Sequence, residues 1–110
     1  GRGDRPAIDD TLCAGYLCQE LYKQAAIRGY VASLGEGARI ASAVLRDILA
    51  TGSLLDGLAT SDAAHAIMAI GLTSDLDWCA TTDASRAVPR VTGYDEHGLL
   101  IVENQPPANM

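Results

Sequence analysis

Between Pro6 and Ile27 the apolar positions do not form one narrow stripe. At about 100° per residue, Thr11, Ala14, Gly15, Cys18, Leu21, Tyr22 and Ala25 fall on one side of a helix, a seam in which small residues dominate. The other side starts apolar with Leu12, Cys13 and Tyr16 and turns polar at Gln19, Glu20, Lys23 and Gln24. The first half is thus apolar nearly all round and only the second half is amphipathic, the pattern of a helix that enters a large core and emerges at a surface. Pro6 suits a first helical turn, Asp4 is a candidate N-cap, and Gly29 is the expected stop.

Further along, Ile40, Val44, Leu45 and Ile48 recur at helical spacing, predicting a second helix over 36–50 closed by Gly52. Ser53-Leu54-Leu55-Asp56 has the form of a capping box with the shorter acid and starts a brief helix or turn to about Thr60. Ser61 caps a helix to Ile70, ended by Gly71. Ser74-Asp75-Leu76-Asp77 repeats the capping device and opens a short helix to Thr82, with Leu76, Cys79 and Ala80 inward and Trp78 over the core edge. From Arg86 the texture changes. Ala87–Val91 and Leu99–Val102 are β-prone runs separated by Thr92–Gly98, which predicts an antiparallel hairpin with Pro89 at an edge or bulge. The fold class expected for this stretch is α+β: four or five helices followed by a C-terminal hairpin over 1–102, then a frayed tail over 103–110.

A chain of 110 residues with 48% apolar composition supports one packed domain. Net charge of −6 and a pI near 4.6 leave no basic footprint for nucleic acid or an anionic membrane. No apolar run reaches a membrane span, and no signal-like start is present, so a cytoplasmic setting is expected. Three cysteines form no paired framework. Cys13 and Cys18 lie about 140° apart on a helix and cannot share a metal, so all three thiols are expected to be buried and inert.

Few residues carry candidate chemistry. Asp9 and Asp10 sit side by side at a helix start, where a hard cation such as Mg²⁺ could take one or two carboxylates and keep its waters; helix-dipole chemistry alone also explains them. Asp9 projects with the polar side, and Asp10 lies near the border of the seam. Gly1 and Gly3 before the helix could bring backbone N–H groups to a phosphate, aided by Arg2 or Arg5, or could simply make a turn. His65 and His97 stand apart from any nucleophile and read as surface residues.

Two stretches together, Ile8-Asp9-Asp10-Thr11-Leu12-Cys13-Ala14-Gly15-Tyr16 and the series Gly71, Asp75, Cys79, Asp83, Val88-Pro89, resemble the carboxyl-terminal half of the 2-phosphosulfolactate phosphatase family. The resemblance runs from about Gly1 to Val102 and is weakest over 30–53. It implies a larger three-layer α/β fold and a Mg²⁺-dependent phosphomonoesterase that converts 2-phosphosulfolactate to sulfolactate on the way to coenzyme M. Carried over by residue, Asp10 and Asp9 would border the metal and phosphate site, while Cys79, Asp83, Val88 and Pro89 would be structural, with Asp83 tying the turn into the hairpin. The family's amino-terminal half, with its Asp-x-x-Arg-Ala-Thr-like strand, has no counterpart in this chain. The chain is therefore expected to be a carboxyl-terminal portion of a longer polypeptide, to hold no catalytic nucleophile or base of its own, and to be inactive alone. Its expected partners are a small phosphorylated substrate, the missing half of the same fold and, through the uncovered face of the first helix, a second copy. Two departures stand out: Arg5 where the family often has an acid, and Ala63 where it has a histidine. The rival reading is a small helical interaction module without chemistry.

Overall fold

The computed structural model describes residues 3–108. Their order is α1 (Ile8–Ile27), α2 (Glu36–Thr51), α3 (Leu54–Ala59), α4 (Asp62–Ala69), α5 (Ser74–Cys79), β1 (Pro89–Tyr94) and β2 (Leu100–Asn104), an α+β arrangement. The chain divides between Ala80 and Thr81 into a helical unit and a hairpin unit, each compact in itself.

α1 starts two residues after Pro6. Its N-cap is Ala7, extended at φ −125° and ψ 128° with no side-chain cap, so Asp4 does not cap the helix. The reason is local: the Thr11 N–H and hydroxyl both donate to the Ala7 carbonyl, at 3.0 and 2.7 Å, and lock Ala7 as the last non-helical residue. At the other end Tyr30 N–H reaches Ala25 O at 2.8 Å and Gly29 N–H reaches Ala26 O at 3.2 Å, a Schellman motif that needs the left-handed Gly29 (φ +75°).

The core lies where α1 crosses α2. Leu12, Gly15 and Cys18 are buried against Ala41, Ser42 and Leu45, and Leu12 and Leu45 are wholly covered. This corrects the expected seam: Leu12 belongs to the packed face, whereas Ala14 and Leu21 are exposed. Gly15 decides which face is used. A Cβ there would run into the Ala41 carbonyl oxygen and lie 3.0 Å from Leu45 Cβ, so the helices approach more closely at this position than any larger residue allows. The second apolar stripe of α1, with Cys13, Leu17 and Leu21, stays exposed. Within α2, Leu45 is buried, Val44 and Ile48 are half-buried, and Ile40 is exposed, so the predicted stripe packs only along its centre.

Ser53 and Asp56 form the predicted capping box. Asp56 N–H donates to Ser53 Oγ at 3.1 Å, and Ser53 N–H and hydroxyl each donate to Asp56 Oδ2 at 2.8 Å. The backbone N–H bond first, and the hydroxyl bond second, hold the Asp56 carboxyl below its ordinary value of 3.8. A lowered folded-state pKa means that the stabilisation is fully present above 3.8 and is lost as pH falls through the lowered value. Thermal melts across the acid range should show this loss, and Asp56→Asn should flatten that limb; an unchanged limb would separate the box from acid stability.

Ser61 caps α4 as predicted and is buried without penalty, because its hydroxyl donates to Leu58 O at 2.7 Å and accepts from Ala64 N–H at 3.0 Å. α5 departs from expectation. Its N-cap is Thr73, with no side-chain cap, and Ser74 is already helical. Asp75 N–H to Leu72 O and Leu76 N–H to Thr73 O start the helix one residue early, so Ser74 has no open N–H to accept from. Leu76 is buried, but Cys79 is exposed and Ala80 half-buried; Trp78 is also exposed. Of the three thiols, only Cys18 is buried, since Cys13 falls on the uncovered face of α1.

In the hairpin unit β1 and β2 pair antiparallel from Pro89↔Asn104 to Tyr94↔Leu100, with an irregularity between Val91 and Gly93. Pro89 occupies the first strand position, where its missing donor is tolerated. Strand β1 takes up Thr92–Tyr94, so the loop is shorter than expected, and β2 continues past Val102 to Asn104. Asp95 Oδ1 accepts from His97 N–H and Leu99 N–H, both at 2.8 Å, and Gly98 turns the chain at φ +78°. Asn104 Oδ1 accepts from Val88 N–H at 2.8 Å. Asp83 takes a left-handed φ of +56°, which aspartate tolerates in a turn.

Candidate functional site

Two helix starts meet in one cleft of the helical unit. Its volume is about 760 Å³, and its wall carries Arg5, Asp9 and Asp10 from the α1 side and Ser61, Asp62 and Ala63 from the α4 side. Because Ala7 has no side chain that can cap, the first-turn N–H groups of α1 are not taken by one. At α4 the Ser61 hydroxyl takes Ala64 N–H, and Asp62 and Ala63 N–H belong to the first turn, whose donors have no carbonyl partner within the helix. The first turns of two helices, carrying three acidic residues, therefore line the same space. Residue types of this kind are the ones a hard cation and an anion would each use, carboxylates for the first, helix-start N–H groups and an arginine fork for the second.

The expected positions are placed unevenly. Asp9 is half-buried and Asp10 is exposed, the reverse of the ordering expected from the helical wheel. Gly1 lies outside the described residues. Gly3 sits in an exposed turn at φ +58° and is not among the residues of the cleft wall, whereas Arg5 is. His65 and His97 are exposed, as expected. Asp62 and Ser61 line the cleft as well, beyond the positions expected from the amino-acid order. Their signal was present, a second serine-capped helix with an acid in its first turn, but nothing local says that it faces the first.

Mg²⁺ takes few protein ligands and retains water, and two adjacent carboxylates suit that demand. No group of three His, Cys, Asp or Glu side chains that could hold a metal comes together among the described residues. Asp9 and Asp10 are thus oxygen donors of the kind Mg²⁺ takes, and among the described residues nothing completes a cage around them. No helix among the described residues is long and apolar enough to cross a membrane.

The 2-phosphosulpholactate phosphatase family matches residues 1–93. A curated relative, named probable 2-phosphosulfolactate phosphatase, from Thermus thermophilus, is 36% identical over 105 residues, covering 91% of this chain and 39% of its own length. The chain therefore spans well under half of that relative. Both departures from the family pattern, Arg5 and Ala63, fall in the cleft wall.

Proposed function

Since the chain belongs to the 2-phosphosulfolactate phosphatase family, we propose that it is a carboxyl-terminal portion of a Mg²⁺-dependent phosphomonoester hydrolase and forms one wall of its site. The substrate proposed is 2-phosphosulfolactate, cleaved to sulfolactate and phosphate in coenzyme M formation. The observation that carries this reading is the meeting of the α1 and α4 starts, with Asp9, Asp10, Asp62 and Arg5, in one cleft.

Asp10 and Asp9 would hold the cation, and the α4 N–H groups and Arg5 would orient the phosphate oxygens. The bound Mg²⁺ would supply Lewis-acid polarisation of a phosphoryl oxygen. Arg5, in place of an acid, shifts the wall toward anion binding. The nucleophile and base would come from the other half of the fold, so the 110-residue chain is expected to be inactive alone.

The test is a Mg²⁺ titration of the chain followed by NMR, together with phosphatase assays of the longer protein. Asp10→Asn should abolish the Mg²⁺-induced shifts at the α1 start and lower turnover about a hundredfold or more. Unchanged turnover removes Asp10 from the site, and Mg²⁺-dependent turnover by the isolated chain contradicts the one-wall reading. The interaction-module reading draws on the exposed Leu17 and Leu21, at 58% and 60%, which would meet a second copy or another polypeptide. A coding frame that starts at Gly1 would favour it.

A further inference from the structure

A second cleft lies more than two turns along α1 from the first. Its volume is about 630 Å³, and Gln19 and Tyr22 of α1 face Glu36, Arg39, Ser42 and Arg46 of α2 across it. Two observations at this place point to a ligand. Neither guanidinium has an ion-pair partner among the described residues, although the chain carries a net charge of −6. Ser42 is only 9% exposed, lines the cleft, and its Oγ is buried without any hydrogen-bond partner. A serine inside a helix ordinarily donates to the carbonyl four residues back, and Ser42 does not. Buried polar atoms are almost always paired, so an orphaned hydroxyl beside two free guanidinium forks marks a place where an acceptor belongs.

We infer that this cleft binds a small organic anion with two acidic groups, such as a short dicarboxylate, at a site separate from the α1 mouth. Arg39 and Arg46 are seven residues apart, two turns and about 10 Å along the helix. Long side chains at that spacing can each clamp one acidic group of a ligand a few carbons long. The Gln19 amide donates to the oxygens between them, the Tyr22 ring backs the carbon skeleton, and the Ser42 hydroxyl, covered in the ligand-free chain, turns toward the cleft to donate as the ligand seats. Glu36 stands beside Arg39 and repels a third negative group, which limits the ligand's charge. No acidic residue other than Glu36 lines the cleft, in contrast to the three at the α1 mouth.

The test is an NMR titration of the whole chain with succinate, inorganic phosphate and acetate as probes. Succinate should give saturable shifts at Gln19, Tyr22, Ser42 and the Arg39 and Arg46 Nε–H groups, weakened by added salt. Arg39→Gln and Arg46→Gln should each weaken succinate about tenfold. Both side chains are exposed, and retained circular dichroism checks that the variants fold. Ser42→Ala should weaken succinate while leaving the ligand-free chain as stable or more so, which a purely structural serine would not do. Asp10→Asn should leave succinate binding intact, so this test can fail independently of the phosphatase reading. Linear shifts that persist in the arginine variants overturn the site. Phosphate saturating it as tightly as succinate overturns the two-acid ligand.

Discussion

Replacing Gly15 with valine is expected to lower the melting temperature of the helical unit by about 10 °C or more. The physical cause is the crossing of α1 and α2. A Cβ at Gly15 would overlap the Ala41 carbonyl oxygen and lie 2.9 Å from the Ala41 carbonyl carbon, and these are backbone atoms that cannot rotate aside. The helices must separate, which opens the packing around Leu12 and Leu45. Such overpacking costs about 3 kcal/mol or more, against which the better helix propensity of valine returns well under 1 kcal/mol. The control is Gly37→Ala, where an added Cβ meets nothing within 4 Å. Circular dichroism melts decide the matter, because a Gly15→Val protein that melts like the parent would show that the helices do not touch there.

Leu45→Ala should destabilise the same unit by about 3–5 kcal/mol. Leu45 is wholly buried, so truncation loses the transfer energy of the missing carbons and leaves a cavity between two helices held in place by the rest of their contact. Total stability of a small domain is only about 5–15 kcal/mol, so the variant should be partly unfolded in modest urea. Leu49, four residues on and 44% exposed, provides the contrast: Leu49→Ala should cost about 1 kcal/mol or less. Equal losses at the two positions would contradict the assignment of the core to the centre of α2.

What could be read from the amino-acid order was what short-range chemistry decides. Ser53 with Asp56, Ser61, Gly29 and Gly71 are signals spanning a few residues, and the helices begin and end where they indicate. Ser74 with Asp77 has the same spelling as Ser53 with Asp56, yet it lies inside α5, because the turn from Leu72 had already supplied the first bonds. Periodicity could not choose a face for α1, because Leu12 and Cys18 both stand on apolar sides. The choice came from the small size of Gly15 against Ala41, a contact between residues far apart in the chain. The cleft was half legible for the same reason. Asp9 and Asp10 marked one helix start, but Asp62 reaches it only through the way α3 and α4 fold back, which no local pattern encodes.

The single tryptophan of the chain, Trp78, is 69% exposed on α5. Its side chain already meets water in the folded state, so its emission is expected to be nearly as red as that of the denatured chain and a poor gauge of unfolding. The same property makes it a natural optical beacon: a shift of its spectrum to the blue signals that another surface has settled over α5.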